Sequence, residues 1–327
     1  MSIFFYALRE FDELAFAEKE SAARGVRFGH SPAYPEPGNY ALARGYEAIS
    51  VTPCDMSAPV LEALHGLGVR YILCRSVGYD HVDLERAKAL GMRVGYVGYP
   101  PTGVANYAIM LMLMACRRWP LIQKKAEMQD YTLKGKIGLD LSRRTVGVVG
   151  TGRIGAAVIR GLSGLGCKIL AYDPYPNPAV AALAEYVTLE RLLAEADVVT
   201  LHANVTAENH HMLDDAAFAR MKQDVIVVNT SRGKLIDHAA LIRALERGRL
   251  WGAALDVLED ENGLYYYDRA GDNIENREMA VLRSFPNVIL SPHTAFYTTE
   301  AVECMVRGCF EDYEAFAAGR DPAYVAL

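Results

Sequence analysis

The sequence of 327 residues has no long apolar run, no basic cluster and no signal-peptide pattern at its start. Its longest apolar stretch, residues 107–116 (YAIMLMLMAC), is too short to span a bilayer. The first residues, MSIFFYALRE, lack the basic start and the small-residue cleavage site of a signal peptide. Lysines and arginines form no run, and the net charge of −6 does not favour nucleic acid as a partner. We therefore expect a cytoplasmic protein that binds neither a membrane nor nucleic acid.

Cysteine is scarce, with six in the chain and no Cys-x-x-Cys pair or other metal-like spacing among them. Several of the six lie inside apolar runs, which favours buried free thiols in a reducing compartment over disulfides. This pattern leads us to expect no bound metal. Fixed-period repeats and low-complexity segments are also absent, so nothing indicates a repeat architecture.

The composition, 51% hydrophobic and 23% charged, is ordinary for a globular protein, and the length favours two domains. Short β-rich runs alternate with helical patterns along most of the sequence. This alternation predicts an α/β fold with parallel sheets and helices on both faces. The predicted strands are 2–8, 47–51, 70–75, 93–97, 145–150, 168–172, 197–202, 225–229, 252–257 and 288–291.

Two long helices are predicted apart from this alternation, at about 102–118 and 299–318. We expect them to join two α/β domains across a cleft. The first domain is predicted to comprise residues 1–100 and 299–327, and the second to comprise residues 101–298.

A glycine-rich turn follows the predicted strand 145–150. Gly150, Gly152 and Gly155 fit the pattern Gly-x-Gly-x-x-Gly, in which the glycines allow a tight turn, close approach of the backbone to a pyrophosphate, and close packing of helix and strand. Asp173 ends the next strand, 18 residues after Gly155, where a carboxylate can bind the hydroxyls of an adenosine ribose. An acid there disfavours a 2′-phosphate, so the pattern predicts NAD rather than NADP. The spacing of the glycines disfavours a methyltransferase.

Polar side chains follow three later strands of the same half, where an open α/β sheet places its ligands. Arg232 follows one strand, Asp256, Glu259 and Glu261 lie at and after another, and His293 follows the last. A cation, a proton donor and a carboxylate that orients the donor are what hydride transfer to a carbonyl requires. Taken singly, each residue fits a surface or structural role at least as well.

The strings VGVVGTGRIG, NTSRGKLID, AALDVLEDE and SPHTAFYT, in this order and spacing, resemble the D-isomer-specific 2-hydroxyacid dehydrogenases. RSVGYDHVD at 75–83 and the HTAFYT ending resemble the D-lactate dehydrogenase branch of that family. The resemblance runs from about 69 to 299. It implies two Rossmann-like domains with parallel sheets and a cleft between them, one flavodoxin-like and one an NAD-binding Rossmann domain.

The resemblance also implies roles for the polar residues. Arg232 would bind the substrate's carboxylate and 2-oxo oxygen, for which a planar guanidinium is suited. His293 would donate the proton during reduction, and Glu261 would hydrogen-bond His293 and fix its orientation. The family's acid lies 29 residues after the arginine and 32 before the histidine, which selects Glu261 over Glu259.

Further family positions concern substrate and cofactor. The backbone amides of Val77 and Gly78 would bind the substrate carboxylate, while Tyr99 and Phe296 would line the pocket around its side chain. The implied cofactor-binding residues are Gly150, Gly152, Arg153, Ile154, Gly155, Asp173, Thr230 and Asp256, of which Asp256 would approach the nicotinamide carboxamide. For His202 and Asn229, also at strand ends, a structural role is favoured.

The implied reaction is NADH-dependent reduction of a 2-oxo acid to a D-2-hydroxy acid, with pyruvate and D-lactate favoured. A larger acid of the 2-hydroxyisocaproate or phenyllactate type stays open, as does an NAD-sensing protein that acts like a corepressor. An L-specific lactate or malate dehydrogenase is disfavoured, because its nucleotide domain would be N-terminal. The family suggests a homodimer built largely through the NAD-binding domain.

The chain departs from the family pattern at two positions, Asn204 in place of a common proline and Asn106 in place of a common acid. Neither removes a catalytic group. The loop 263–276, GLYYYDRAGDNIEN, carries tyrosines that either pack against the neighbouring domain or cover the surface.

Overall fold

The computed structural model describes residues 1–261 and 263–327. Two compact α/β units divide the chain, one formed by Met1–Pro100 and Tyr297–Leu327 and the other by Pro101–Phe296. The strands are β1 Ser2–Phe5, β2 Arg27–His30, β3 Ala48–Val51, β4 Tyr71–Cys74, β5 Arg93–Tyr96, β6 Thr145–Val149, β7 Lys168–Tyr172, β8 Glu185–Tyr186, β9 Val198–Leu201, β10 Val225–Asn229, β11 Leu250–Leu255 and β12 Val288–Leu290. The α-helices are α1 Leu14–Arg24, α2 Ala58–Gly66, α3 Leu84–Ala89, α4 Thr102–Cys116, α5 Trp119–Glu127, α6 Arg153–Ser163, α7 Leu189–Glu195, α8 Asp215–Arg220, α9 His238–Glu246, α10 Arg277–Ser284 and α11 Thr299–Ala317.

The first unit contains a five-stranded parallel sheet with the order β2-β1-β3-β4-β5. This is the flavodoxin-like order. The C-terminal helix α11 packs on this sheet through aromatic rings: Phe310 lies 5.5 Å from Phe5 between ring centroids, and Phe316 stacks on Tyr71 at 5.4 Å. The last helix of the chain therefore completes the first unit.

The second unit contains a seven-stranded parallel sheet with the order β12-β11-β10-β9-β6-β7-β8. Renumbered from β6, this is the Rossmann order with one strand added at the end. Successive residues of β10 enter opposite apolar clusters, Val225 and Val227 on one face and Ile226 and Val228 on the other. Both faces are thus buried, as expected for a parallel sheet covered by helices. The prediction of two parallel-sheet α/β domains is confirmed.

Two strands in the structure are missing from the sequence prediction. β2 lies at the edge of its sheet and is largely exposed or half-buried, and β8 is a two-residue edge strand. An edge strand has one neighbour and needs no continuous apolar run, so the pattern that marks buried strands does not reveal it.

Helix α4 packs against the sheet of the second unit and against α6. A Cβ added to Gly161 of α6 would lie 2.5 Å from Ile109 Cδ1, so the two helices approach closely there. Trp251 of β11 donates a hydrogen bond from Nε1 to the carbonyl of Ala115 at 3.2 Å. One face of α4 is therefore buried in the core of the second unit, while Met110 on another face of the helix is exposed in this unit.

All six cysteines are free thiols, three of them buried and three half-buried. Burial raises the pKa of Cys54 and of Cys309 to about 12, so neither is a reactive thiolate. In the part of the chain that the structure describes, no helix combines the length and the apolar character needed to cross a bilayer.

Candidate active site

The glycine-rich turn lies between β6 and α6. Gly150 has φ +91°, and a Cβ there would lie 2.6 Å from the carbonyl carbon of His202, while a Cβ on Gly155 would lie 1.9 Å from the Gly150 oxygen. Both positions therefore require glycine. Gly152 precedes α6, and a Cβ added there would meet nothing within 4 Å. The turn thus has the open side and the helix N-terminus that a pyrophosphate needs.

Asp173 follows β7 and faces this turn. One carboxylate oxygen accepts hydrogen bonds from the Thr151 backbone amide at 2.6 Å and from the Thr151 hydroxyl at 3.2 Å. The other accepts from the amide of Tyr175 at 2.8 Å. The carboxylate is fixed beside the glycines, where the predicted ribose contact would require it.

The remaining predicted cofactor residues lie around the same end of the sheet. Arg153 and Ile154 form the first turn of α6. Thr230 follows β10, is 8% exposed, and its buried Oγ1 has no hydrogen-bond partner among the described residues. A buried hydroxyl without a partner is costly, and a bound ligand would supply one. The donor set and the glycine turn therefore fit a dinucleotide.

His202 and Asn229 have structural partners. The Nε2 atom of His202 pairs with the Thr200 hydroxyl at 2.9 Å, and burial lowers the pKa of His202 to about 3, so the ring is neutral. The Asn229 amide accepts from the backbone amide of Ser231 and donates to the carbonyl of Arg232, at 3.0 and 2.8 Å. Asn229 thereby shapes the turn that carries Arg232.

His293 lies in a tight turn after β12 and pairs with Glu261. The Nδ1 atom of the ring lies 2.5 Å from Glu261 Oε1, and Glu261 Oε2 accepts a hydrogen bond from the Leu258 amide at 2.8 Å. His293 adopts φ +51°, and its amide donates to the carbonyl of Asp256 at 2.7 Å. Since Nδ1 is directed at the carboxylate, Nε2 is the ring nitrogen left for a substrate.

Asp256, fully buried after β11, binds the turn that carries His293. Its carboxylate accepts hydrogen bonds from the Ser291 hydroxyl at 2.5 Å, the Thr294 amide at 3.0 Å and the Ala295 amide at 2.8 Å. Burial raises the pKa of Asp256, and these hydrogen bonds oppose that rise. The sequence indicated a cofactor contact here, and the observed contacts fix the geometry of the turn.

Arg232 follows β10 and lies next to the segment that leads to Glu261. Its Nη1 donates to the carbonyl of Ser231 at 2.8 Å. A Cβ on the adjacent Gly233 would lie 2.0 Å from the carbonyl carbon of Leu258, so the two segments are in direct backbone contact. The second unit therefore places the turns bearing Arg232, Glu261 and His293 on neighbouring strand ends.

Two aromatic residues flank the imidazole. The Phe296 ring lies 6.2 Å from that of His293 at an angle of 83°, and the Tyr266 ring lies 6.1 Å from it. Tyr266 also donates from its hydroxyl to the His293 carbonyl at 2.9 Å. Its neighbour Tyr265 packs on the core of the same unit. One of the loop tyrosines therefore contacts the turn that carries His293, which the sequence did not suggest.

The other predicted substrate residues belong to the first unit. Val77 and Gly78 are half-buried in the loop after β4, where the Ser76 hydroxyl donates to the Gly78 carbonyl at 2.6 Å, and Tyr99 is half-buried after β5. At the start of the loop, Arg75 is fully buried.

Arg75 is held by several partners within that unit. Its Nε pairs with Glu13 Oε1 at 3.2 Å, its Nη1 donates to the Ser50 hydroxyl at 2.9 Å, and its Nη2 donates to the carbonyls of Tyr6 and Ala7, each at 2.9 Å. Arg75 therefore anchors the loop that bears Val77 and Gly78. Sequence reasoning missed this function, although the arginine opens the RSVGYDHVD segment.

The chain is similar to known 2-hydroxyacid dehydrogenases in sequence and in structure. Residues 109–295 match the family model described as "D-isomer specific 2-hydroxyacid dehydrogenase, NAD binding domain". A D-lactate dehydrogenase of Lactobacillus delbrueckii subsp. bulgaricus is 36% identical over 322 residues, 98% of this chain and 97% of that enzyme. An aromatic 2-oxoacid reductase of Clostridium sporogenes is 40% identical over 268 residues, 81% of each chain. The NAD-complexed structure of a D-isomer-specific 2-hydroxyacid dehydrogenase from L. delbrueckii ssp. bulgaricus superimposes with a TM-score of 0.85 at 27% identity, covering 100% of both chains.

Proposed function

We propose that pyruvate is the preferred 2-oxo acid of this protein. The chain belongs to the D-isomer-specific 2-hydroxyacid dehydrogenase family. It is an NAD-dependent oxidoreductase that acts on the CH–OH group of D-2-hydroxy acids. The observation that carries the proposed chemistry is the Glu261–His293 pair, in which a carboxylate orients an imidazole at a strand end. The roles of the individual site residues are part of the same proposal.

His293 is the proton donor to the carbonyl oxygen during reduction. Glu261 holds Nδ1, so that a proton on Nε2 is directed toward the substrate, and it balances the positive charge of the imidazolium. In the oxidative direction the same nitrogen accepts the proton from the hydroxyl group. Both residues are anchored to the segment after β11, since Leu258 donates to Glu261 and Asp256 accepts from His293.

Arg232 binds the substrate's carboxylate and polarises its 2-oxo oxygen. A guanidinium keeps its charge at any working pH and can engage two oxygens at once, so it orients the carbonyl and stabilises the negative charge that develops on its oxygen. Substrate contacts by Val77, Gly78 and Tyr99, the first two through backbone amides, belong to the same proposal.

The turn at Gly150–Gly155, Asp173 and Thr230 would hold NAD, which would supply the hydride in its reduced form and accept it in its oxidised form. Arg153 and Ile154 complete the pyrophosphate site at the start of α6. Asp256 acts chiefly by fixing the turn at 291–295, since the chain's own donors already bind its two oxygens.

Two observations support pyruvate over larger acids. A relative that matches 98% of this chain is a D-lactate dehydrogenase. In addition, Phe296 and Tyr266 occupy the space about 6 Å from the His293 ring, which favours a small group beside the reacting carbon. The aromatic 2-oxoacid reductase at 40% identity keeps a larger acid as the second candidate.

The test is the rate of NADH oxidation with pyruvate, 2-oxoisocaproate and phenylpyruvate, followed by chiral analysis of the product. We expect the largest kcat/KM for pyruvate, by about 10-fold or more over phenylpyruvate, and D-lactate as the product. A larger kcat/KM for phenylpyruvate would assign the chain to the second candidate.

We further propose a homodimer acting in the cytoplasm. Residues 128–138 carry large apolar side chains in solvent, among them Leu133 with 88% of its surface exposed and Ile137 with 79%, and Met110 on α4 is also exposed. Large apolar side chains exposed in this way favour burial against a second copy. Six free thiols support a reducing compartment. Light scattering should give twice the mass of one chain, and Leu133→Glu should shift it toward the monomer.

A further inference from the structure

Two consecutive histidines and a glutamate come together away from the His293–Glu261 pair. His211 Nε2 lies 2.7 Å from Glu259 Oε2, and His210 Nε2 lies 3.7 Å from Glu259 Oε1. One ligand atom from each of the three residues lies within 4.8 Å of the other two. Glu259 is directed toward these histidines, while Glu261 is the acid that contacts His293.

The backbone fixes the two histidine rings side by side. His210 and His211 lie in the turn after β9, and their ring centroids are 3.9 Å apart at an interplanar angle of 30°. His211 adopts φ +53°, and its amide donates to the carbonyl of Lys234 at 2.8 Å. Side-chain exposures of 45% for His210 and 35% for His211 leave the nitrogens accessible from solvent, while Glu259 is 23% exposed.

A third histidine and a second glutamate adjoin this cluster. His238, at the start of α9, is 2% exposed, and its buried Nε2 has no hydrogen-bond partner among the residues described. Its Nδ1 lies 3.5 Å from Glu278 Oε2. Electrostatic interaction links His238 with both Glu259 and His211. A positive ion bound to the cluster would therefore have the carboxylate charge of Glu278 in its neighbourhood, because Glu278 interacts electrostatically with Glu259 and His211.

We propose that His210, His211 and Glu259 bind one divalent transition-metal ion, for which Zn²⁺ is the best match. Imidazole nitrogen and carboxylate oxygen bind Zn²⁺ at about 2.0–2.2 Å, and three protein ligands with one water are a common set. Mg²⁺ and Ca²⁺ prefer sites built from oxygen alone, so two imidazoles disfavour them. Coordination would replace the His211–Glu259 hydrogen bond by two metal–ligand bonds.

The site formed by His210, His211 and Glu259 could not be found by the sequence pattern that led us to expect no metal. That expectation rests on cysteine spacing, whereas here adjacent histidines in a turn meet an acid 48 residues later in the chain. Only the parallel arrangement of β9, β10 and β11 brings the two segments together.

The test uses the full-length protein without a histidine tag, stripped of metal by a chelator. Zn²⁺ affinity is measured by competition with a chromophoric chelator, and Co²⁺ is added to report the ligand type by visible absorption. We expect one ion per chain, a Co²⁺ spectrum of nitrogen and oxygen ligation, and affinity at least about 10-fold weaker in His210→Ala, His211→Ala and Glu259→Gln. His210→Ala removes an exposed side chain, so the fold should persist.

The matched control is His30→Ala, which removes a half-exposed histidine 3.4 Å from Glu10 in the first unit and should leave metal affinity unchanged. His293→Asn should also bind metal normally. Equal affinity in wild type and His210→Ala would overturn the proposal. So would loss of binding in His293→Asn alone, or a thiolate band in the Co²⁺ spectrum. These readouts do not depend on turnover, so they stand or fall separately from the dehydrogenase assignment.

Discussion

Glu261 Oε1 lies 2.5 Å from His293 Nδ1, although 32 residues separate the two along the chain. The pairing depends on the end of β11, because the segment just after this strand anchors both partners. The Leu258 amide holds the far oxygen of Glu261, and the Asp256 carbonyl holds the His293 amide. The proposed proton donor and its proposed orienting acid are therefore positioned by backbone contacts at one strand end, and catalytic geometry requires rigid support of this kind.

Asp173→Ser should weaken NAD binding about 10- to 100-fold, because it removes a charged hydrogen-bond acceptor beside the glycine turn. It should also reduce discrimination against NADP, since the repulsion of a 2′-phosphate is lost. Fluorescence titration with both reduced cofactors measures the two effects. The control is Asp215→Asn, an exposed acid of α8 in the same unit. Unchanged NADH affinity in Asp173→Ser would show that Asp173 does not bind the adenosine ribose.

Asp256→Ala should lower both stability and turnover. The Ser291 hydroxyl and the amides of Thr294 and Ala295 would lose their acceptor, which predicts a loss of about 2–4 kcal/mol in the free energy of unfolding. The catalytic turn would also become less ordered, so kcat should fall. Urea unfolding and steady-state rates check this, with Glu246→Ala on the exposed end of α9 as the control. Wild-type stability in Asp256→Ala would show that the turn holds without this carboxylate.

Phe296→Ala should shift the substrate preference toward larger acids. Removal of the ring 6.2 Å from the His293 ring opens space beside the reacting carbon. The ratio of kcat/KM for phenylpyruvate to that for pyruvate should rise about 10- to 100-fold. Phe11→Ala serves as the control, because Phe11 is 81% exposed in the first unit. An unchanged ratio would exclude Phe296 from the substrate pocket.

Asp312→Asn should stabilise the protein at alkaline pH. Asp312 on α11 is 4% exposed, its Oδ2 has no hydrogen-bond partner among described residues, and burial, with a smaller effect of Glu311, raises its pKa to about 7. A carboxyl whose pKa is raised on folding is most favourable to stability when protonated, so its contribution is full below the unfolded pKa of about 4 and is lost as the pH rises to about 7.

The free energy of unfolding of Asp312→Asn should therefore exceed that of wild type by about 1–2 kcal/mol at pH 8, and the difference should shrink toward pH 4. Urea unfolding at several pH values measures it. A difference that does not vary with pH would show that the Asp312 carboxyl does not titrate with folding.

The features that the sequence predicts well share one physical basis. Parallel strands buried on both faces need continuous apolar runs, so β6 and β10 can be recognised as strands from their sequences. The glycine turn can also be recognised from the sequence, because Gly150 and Gly155 lie where any Cβ would collide with the backbone. Motif spacing could select Glu261 over Glu259, and in the structure it is Glu261 that contacts His293.

The features that could not be predicted from the sequence depend on contacts between residues that are distant in the chain and belong to no recognisable motif. Asp256 binds three donors from a turn 35–39 residues away, and Tyr266 reaches the His293 carbonyl from a loop with no periodic pattern. The metal cluster that we propose combines a histidine pair with a glutamate from another strand end. Each of these needs the strand order of the sheet, which no local pattern specifies.

The most direct test of the catalytic account is single-turnover oxidation of bound NADH by pyruvate in His293→Asn, with NADH affinity measured on the same preparation. We expect a rate about 10²- to 10⁴-fold below that of wild type, because the proposed proton donor is lost, while NADH affinity stays within about twofold. A rate equal to that of wild type with NADH fully bound would contradict it.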